Sequence, residues 1–320
     1  MDEHYLVLGA TGGIGKAIVA ELTGKEKTVS VLCRDKEKGE KYFKDSANVK
    51  IITGDAFNAE DVIKASQNCT ALFYCINTHY HKWAATVRPL LKISIDACIK
   101  NNVKLVFPGN VYTYGFAQYN RVDELHPKFP NTKKGRIRLD MENMLFKAGK
   151  DEGLNFAIIR MPDFYGPYVI NGFSEQVFIN ALTGKTLKWI GSKNVEVEYI
   201  FIEDAAKAMV EGGLSEKSNR REFNIPACCE TTTEKFLKEI SEQGGKESKM
   251  QVLNSNFIFT LMGLFNPIVR EVKEMLYLKR HKLILDGSQY KKTFGELPAT
   301  SYEKGIKKTL DWARGYYNIN

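Results

Sequence analysis

The feature that most constrains the fold of this 320-residue chain is a glycine-rich turn near its N-terminus. A short apolar run leads into Gly9–Gly15, with sequence GATGGIG, and an amphipathic run follows. This order predicts a strand, a phosphate-binding loop and a helix whose free N–H groups face a pyrophosphate. Gly9 would permit a sharp turn, Gly12 a close approach of phosphate, and Gly15 tight packing of helix on sheet. The predicted cofactor contacts in this loop are Gly9, Thr11, Gly12, Gly13, Ile14 and Gly15.

Apolar runs alternate with amphipathic ones through the first half of the chain. Strands are predicted after the first one at 28–33, 49–53, 71–75, 104–107 and 155–160, with helices at 84–101 and 133–147. The alternation predicts an α/β fold with a Rossmann-type doubly wound parallel sheet. It becomes less regular beyond residue 167. We therefore expect an NAD(P)-binding domain at 1–167 and a smaller C-terminal, mainly substrate-binding lobe at 168–320, with some of its segments returning to the first domain.

Composition narrows the classes of function. The net charge of +8 is spread along the chain without a dense basic block, so we predict a solvated basic surface or mild attraction of anionic ligands, and no nucleic-acid partner. The chain shows no basic and apolar leader, and its most apolar segment, Phe257–Phe265, is too short to span a bilayer. We expect a cytoplasmic protein without membrane contact, in which this segment is buried or lines an apolar pocket. Six cysteines without a CxxC pair are expected to be reduced core residues.

The end of the second strand bears on the choice of cofactor. In dinucleotide-binding sheets a carboxylate there accepts the ribose hydroxyls of NAD, whereas an arginine favours the 2′-phosphate of NADP. Here Cys33 takes the carboxylate position and Arg34 follows it. The pattern favours NADP over NAD. A solvated Arg34, or interference from the neighbouring Asp35, is the alternative.

Further candidate contacts follow the other strands. Asp55 lies just past the third strand, where it would accept the adenine amino group or cap a helix. Tyr80 and Trp83 follow the fourth strand and are predicted to cover a nicotinamide or a substrate. His79 and His81 lack a third ligand at suitable spacing, so no metal site is predicted. The remaining predicted contacts are Ala56, Asn77, Lys134 and Met161 for the cofactor, and Asn110 and Tyr165 for the substrate.

Several stretches together carry a family resemblance. They are Gly9–Gly15, Asp55, Asn110–Tyr112, Arg160–Pro167, Glu203–Ala206 and Thr309–Trp312. With these the chain resembles the extended short-chain dehydrogenase/reductase family, of the NAD-dependent epimerase/dehydratase type. The resemblance implies hydride exchange with a nicotinamide cofactor. It also implies a Ser or Thr after the fifth strand and a proton transfer by the tyrosine of a YxxxK motif.

Neither catalytic element of that family is intact in this chain. The Ser or Thr position falls on Pro108, and the YxxxK position reads KxxxR, from Lys134 to Arg138. This spacing places Lys134 and Arg138 on one helix face. We hypothesise that Arg138 holds the ribose and that Lys134 donates the proton, its charged form disfavoured by burial and by the neighbouring cation. Two cations on a solvated helix face are the alternative. Other candidate hydroxyl donors are Tyr112, Tyr114 and Tyr165.

A second departure concerns the substrate. Nucleotide-sugar members of the family carry an arginine for the diphosphate in a stretch resembling GxGxQxRD, whereas here the matching stretch has Glu196 and Glu198 and no arginine. A diphosphate would be poorly neutralised there unless Lys193 compensates. The favoured function is therefore an NADP-dependent oxidoreductase of a small carbonyl or alcohol substrate. The alternatives are a sugar or nucleotide-sugar epimerase or dehydratase, and a non-catalytic NADP-responsive binding protein; a homodimer is implied by the family alone.

Overall fold

The computed structural model describes residues 3–170, 174–265 and 267–319. Its strands are β1 (His4–Leu8), β2 (Thr28–Cys33), β3 (Val49–Thr53), β4 (Ala71–Tyr74), β5 (Lys104–Asn110), β6 (Phe156–Met161), β7 (Asp163–Tyr165), β8 (Leu187–Ile190), β9 (Glu196–Val197), β10 (Tyr199–Phe201), β11 (Arg221–Asn224), β12 (Thr231–Thr232) and β13 (Met250–Leu253). Its helices are α1 (Gly13–Gly24), α2 (Lys36–Phe43), α3 (Ala59–Ala65), α4 (Trp83–Asn101), α5 (Lys133–Asp151), α6 (Ser174–Thr183), α7 (Ile202–Leu214), α8 (Thr233–Gly244), α9 (Asn256–Phe265), α10 (Pro267–Lys273), α11 (Ser288–Phe294) and α12 (Tyr302–Tyr317).

Seven strands form one parallel sheet in the order β11-β6-β5-β4-β1-β2-β3. The order reverses between β1 and β4, and in such sheets the ligand crevice opens there, outside the carboxyl ends of the strands. The predicted Rossmann-type sheet is confirmed. β5 continues past its predicted end at Phe107, because Pro108 and Gly109 pair with β6. Pairing with β6 inside the sheet therefore outweighs the tendency of proline and glycine to end a strand.

Side chains alternate between the two faces of the sheet, as the pleat requires. Leu72 and Tyr74 of β4 pack beneath α3, α4 and α5, whereas Phe73 points to the opposite layer with α1 and α7. α7 approaches the sheet closely, since a Cβ on Gly213 would lie 2.5 Å from the Phe73 ring. Two separate apolar cores therefore hold the sheet between its helices.

A buried charge network ties the distal edge of the sheet together. Arg160 of β6 is fully buried and donates to Glu142 of α5 and to Glu222 of β11, each at 2.7 Å. Lys128 joins the same two carboxylates at 3.0 and 2.6 Å. Each carboxylate thus meets two cations, which offsets the cost of burying these charges.

The C-terminal lobe has its own core, built by α6, α8 and α12 with the short strands around them. An aromatic cluster fills it, comprising Tyr165, Trp189, Tyr199, Phe201, Phe236 and Tyr302. α7 and β11, although late in the chain, lie in the layers of the sheet. The residue boundary between the two domains stays a prediction.

Two sequence expectations about apolar residues need correction. On α9, Phe259 is buried, but Phe257 is 76% exposed and Leu261 is 51% exposed, so the predicted burial of this segment is wrong for both. Among the cysteines, Cys229 is exposed and Cys228 half-buried, whereas Cys33, Cys69, Cys75 and Cys98 lie in the cores as expected. None of the described helices is long and apolar enough to cross a bilayer.

Candidate functional site

The glycine loop has the shape of an anion cradle. Gly9 adopts a positive φ of 76°, and a Cβ there would lie 2.5 Å from the carbonyl oxygen of Cys75. A Cβ on Gly15 would lie 2.3 Å from the carbonyl oxygen of Gly9. Gly12 occupies the N-cap of α1 and provides no side-chain acceptor, so the N–H groups of the first helical turn are left for a ligand. Both close contacts require glycine, and the loop fits a dinucleotide pyrophosphate.

The end of β2 presents cations rather than a carboxylate. Cys33 is buried and Arg34 is exposed. Asp35 caps α2, because its carboxylate accepts the N–H of Lys38 at 3.0 Å. That local bond engages one carboxylate oxygen of Asp35, which makes Asp35 a weaker competitor for the ribose hydroxyls. Asp55 likewise accepts the N–H of Phe57 at 3.0 Å, so it stabilises a turn, and its adenine contact stays a prediction.

Lys16, which sequence reasoning did not select, lies beside the glycine loop. Its ammonium is 3.5 Å from the ring centroid of Tyr42 and 4.3 Å from that of Tyr168. Burial, together with Lys38 and Lys41, lowers the pKa of Lys16 to about 8. The two rings offset part of this penalty through cation–π attraction. The arrangement holds Tyr168 against α1. In the sequence, the only sign of it is that Lys16 directly follows the last glycine of the loop.

The structure argues against Lys134 as the proton donor. The residue is 2% exposed, and its ammonium donates to the carbonyl of Glu271 at 3.1 Å, to Oε2 of Glu271 at 2.5 Å and to Oε1 of Glu274 at 2.9 Å. An ammonium has three donors, and all three are thereby engaged. The backbone N–H of Lys134 also donates to Glu274, at 3.0 Å. Lys134 therefore anchors α10 and the residue after it to the start of α5.

Arg138 turns in another direction from the same helix. Its guanidinium donates to the carbonyl oxygen of Pro108 and lies 4.5 Å from the ring centroid of Phe107. Burial lowers the pKa of Arg138 from its usual value. Of the KxxxR pair, only Arg138 therefore binds the backbone of β5, whereas Lys134 is engaged by Glu271 and Glu274. The predicted contact of Arg138 with a ribose stays a prediction.

Two tyrosine hydroxyls meet at this edge of the sheet. The hydroxyl oxygens of Tyr80 and Tyr112 are 3.1 Å apart, and the ammonium of Lys134 lies 5.0 Å from the Tyr80 ring centroid. Asn110 accepts the N–H of Tyr112 at 3.1 Å, which fixes the turn that carries this ring. Burial raises the pKa of both phenols, well above the usual value for Tyr112; for Tyr80 the positive charges of Lys279 and Arg138 oppose the rise.

Several other predicted contacts are occupied by structural roles. Trp83 is 4% exposed, and its indole N–H donates to Asn77 Oδ1 and to the carbonyl of Thr78, both at 3.0 Å. Tyr165 lies in the aromatic core of the C-terminal lobe. The hydroxyl of Tyr114 contacts Asn224 and Arg160 within the charge network. These positions argue against substrate contact by Trp83 or Tyr165. They also argue against proton transfer by Tyr114 or Tyr165. The cofactor contacts of Ala56 and Met161 stay predictions.

An ion pair that the sequence did not predict also belongs to this polar edge of the sheet. Lys279 Nζ lies 2.6 Å from Asp163 Oδ2 and 4.4 Å from the ring centroid of Tyr199. Burial would lower the pKa of Lys279, but the ion pair with Asp163 holds it above the usual value. Both charges act on Tyr80. Asp163 lies two residues past the end of β6, so its position at the carboxyl edge was a usable signal, whereas Lys279 lies over a hundred residues further on.

The carboxylates that counted against a diphosphate are already engaged. Glu198 is buried and accepts the N–H of Ala227 at 3.2 Å and of Leu285 at 2.8 Å. Burial raises the pKa of Glu198 to about 8. Glu196 pairs with Lys282 at 2.5 Å. Neither carboxylate therefore acts as an unpaired negative charge, and the electrostatic objection to a diphosphate is weaker than the sequence indicated.

The sheet, the glycine cradle and the polar cluster at its edge define a protein that binds a nicotinamide dinucleotide. Residues 5–225 match the NAD dependent epimerase/dehydratase family, and the chain belongs to this family. The resemblance seen in the sequence is thereby confirmed. Membership places the chain among enzymes that use a nicotinamide dinucleotide.

Relatives of known name give the family context. The chain is 25% identical to dTDP-glucose 4,6-dehydratase of Escherichia coli over 196 residues, which cover 57% of this chain and 47% of that protein. The chain thus matches about half the length of that relative. It is 21% identical to UDP-N-acetyl-alpha-D-glucosaminuronate decarboxylase of Bacillus cytotoxicus, over 99% of this chain and 100% of that protein. The solved structure of dTDP-glucose 4,6-dehydratase from Bacillus anthracis, in complex with NAD, shares the fold at a TM-score of 0.81 and 18% identity, over 99% of this chain and 98% of that one.

Proposed function

We propose that this chain is an NADP-dependent enzyme of the epimerase or dehydratase type that acts on a sugar or nucleotide-sugar. A nicotinamide held in the cradle would allow a carbon that bears oxygen to give up a hydride and regain it within one turnover. This proposal replaces the small-carbonyl oxidoreductase favoured by the sequence, for two reasons. The named relatives act on nucleotide-sugars. Glu196 and Glu198, which counted against a diphosphate, are already bound to other groups of the protein.

The observation that carries the proposal is that cofactor cradle and polar cluster share one sheet edge. A Cβ added to Gly9 would lie 2.5 Å from the carbonyl oxygen of Cys75, the residue that follows β4, so the cradle adjoins the end of this strand. Two residues further on, Asn77 accepts the indole N–H of Trp83, whose ring packs edge-on against Tyr80 at 5.0 Å. Tyr80 in turn contacts Tyr112 at the end of β5. A continuous chain of contacts therefore links the cradle to the hydroxyl pair.

The proton step falls to the Tyr80–Tyr112 hydroxyl pair. Both phenols are protonated at neutral pH, and burial makes them weaker acids, so either hydroxyl would donate its proton only to an oxygen that has become strongly basic by gaining negative charge. Lys279 and Arg138 would stabilise the phenolate left behind on Tyr80, through their charges. Lys134 takes no part, because its three donors are bound to α10 and to Glu274.

The cofactor preference rests on the cations at the end of β2. Arg34 is exposed and Asp35 is engaged in capping α2, so a ribose 2′-phosphate would meet positive charge. We expect Arg34→Ala to weaken NADPH binding roughly tenfold and to leave NADH binding nearly unchanged, since only the 2′-phosphate contact is lost. Fluorescence titration of both cofactors against both proteins measures this. Equal losses for NADPH and NADH would contradict the assignment.

Substrate conversion tests the proposed reaction. The purified chain is incubated with NADP and a panel of UDP- and dTDP-sugars, and products are followed by ¹H NMR together with nicotinamide absorbance. Conversion of a nucleotide-sugar without a net change in absorbance is the expected result. The matched variant Tyr112→Phe should slow this conversion at least tenfold while leaving cofactor affinity unchanged. Absence of conversion across the panel, with the cofactor bound, would contradict the proposal.

A second candidate function is net oxidation or reduction of a small carbonyl or alcohol compound. The stretch that contains Glu196 and Glu198 favours it, because that stretch holds no arginine to bind a substrate diphosphate. Stoichiometric consumption of NADPH by an aldehyde or ketone, without nucleotide-sugar conversion, would identify this function instead.

A further inference from the structure

Two adjacent cysteines lie outside the site described above. Cys228 and Cys229 follow β11 in a bend, with their Sγ atoms 3.8 Å apart. Cys229 is exposed and Cys228 is half-buried, whereas the other four cysteines of the chain lie in the cores. This pair therefore presents the thiols that a reagent in solution reaches first.

The backbone around the pair is fastened on both sides. The carbonyl of Cys229 accepts the hydroxyl of Tyr302 at 3.1 Å, and the N–H of Ala227 donates to Glu198 at 3.2 Å. Glu198 also accepts the N–H of Leu285 at 2.8 Å. The bend is thus linked to α12 through Tyr302 and, through Glu198, to the segment that contains Leu285. The two cysteines themselves lie outside helices and strands, so their backbone can change locally.

We propose that Cys228 and Cys229 form a redox-modification site, a vicinal dithiol that small disulfides oxidise reversibly. The Cys229 thiolate attacks a disulfide such as oxidised glutathione, forming a mixed disulfide and releasing one glutathione thiolate. The Cys228 sulfur then attacks Cys229 Sγ, forming the Cys228–Cys229 bond and releasing the second glutathione. Two protein thiols are oxidised and one glutathione disulfide is reduced to two thiols, so electrons and protons balance.

The exposure of each thiol sets the order of these two steps. The exposed Cys229 is open to a bulky disulfide, whereas burial raises the pKa of Cys228 to about 12 and slows its thiolate chemistry. Cys229 is therefore the attacking thiol and Cys228 the resolving one.

The disulfide formed in this way is a labile one. Consecutive Cα atoms are about 3.8 Å apart, below the span of roughly 4.4–6.8 Å that an unstrained disulfide requires. The Sγ atoms must also approach from 3.8 Å to about 2.05 Å. Strained, exposed disulfides are readily reduced, so the bond should form in an oxidising buffer and open again in excess reduced glutathione.

Mass spectrometry of the full chain, measured intact and after digestion, tests the proposal. The protein is incubated in glutathione buffers of increasing oxidised fraction, quenched by alkylation and digested. We expect loss of two alkylation sites per chain, a peptide containing a Cys228–Cys229 disulfide, and reversal in reduced glutathione. Cys228→Ser should instead accumulate one glutathione on Cys229. Cys229→Ser should remain unmodified, and the control Cys98→Ser, at a buried core position, should behave like the natural sequence.

Hydrogen exchange gives a readout that does not depend on the cysteine variants. Oxidation should speed exchange at the Ala227 and Leu285 amides, because closing the ring pulls the bend away from Glu198. Three results would each overturn the proposal. They are modification of core cysteines instead, stable glutathione on Cys229 of the natural sequence, and no modification in any buffer.

Discussion

At the scale of single residues, the cradle depends on glycines at positions where no side chain fits. Gly9→Ala would combine a positive φ with a Cβ 2.5 Å from a backbone oxygen. We expect a loss of roughly 3 kcal/mol in the free energy of unfolding and loss of cofactor binding. Urea denaturation and nucleotide titration measure these effects.

A matched control is available at the far end of α1, the helix that follows the cradle. Gly24 ends α1, and a Cβ there would have no neighbour within 4 Å. Gly24→Ala should leave cofactor binding unchanged and stability unchanged or higher by about 0.5 kcal/mol. Similar behaviour of the two variants would contradict the cradle.

The buried Glu198 makes stability depend on pH. Its pKa is about 8 in the folded chain against an ordinary value of 4.5, so the folded state holds a proton that the unfolded state releases between these values. Stability contributed by this group is therefore complete below pH 4.5 and falls as pH rises towards 8. Urea denaturation should show that Glu198→Gln, which cannot ionise, loses this part of the pH dependence. An unchanged pH profile would show that Glu198 is ionised in the folded chain.

At the scale of elements, Lys134 fastens α10 over the polar cluster. Lys134→Met would leave Glu271 and Glu274 without their cation. We expect a loss of about 2 kcal/mol, less than for a fully buried pair because both carboxylates keep about a quarter of their surface exposed.

A double-mutant cycle in urea measures this coupling. Removing the carboxylates as well, with Glu271→Gln and Glu274→Gln, should recover at least half of the loss caused by Lys134→Met, since the unpaired charges disappear. Additive losses would show that the contacts contribute nothing as a unit. If Lys134→Met abolished turnover without loss of stability, the earlier hypothesis of a catalytic lysine would be restored.

The elements show what the sequence could and could not predict. Apolar runs such as 28–33 and 49–53 predicted both ends of β2 and β3. The glycine loop was equally readable, since its backbone demands are local. Arg138 reached β5 as the helix spacing required, but Lys134 did not, because its partners belong to a distant segment. Contacts such as Asp163–Lys279 depend on the tertiary fold and leave no local signal.

At the scale of the whole molecule, the assembly state stays a prediction. The family implies a homodimer, and α4 and α5 form the paired helices on one sheet face. On this surface Arg88 pairs with Asp140 at 2.6 Å, with both side chains exposed by at least a third. A dimer formed by this face should dissociate on Arg88→Glu, because two like charges would then meet across α4 and α5 and at the interface. Light scattering after size-exclusion chromatography measures this; a monomeric natural sequence would contradict the dimer.

We propose that the cradle and the hydroxyl pair form one nicotinamide-dependent site with a preference for NADP. Fluorescence titration of NADPH and NADH into the natural sequence and the Gly9→Ala variant tests this most directly. We expect one NADPH bound per chain, weaker binding of NADH, and no binding of either by the variant. Failure of the natural sequence to bind either cofactor, or unaltered binding by Gly9→Ala, would contradict it.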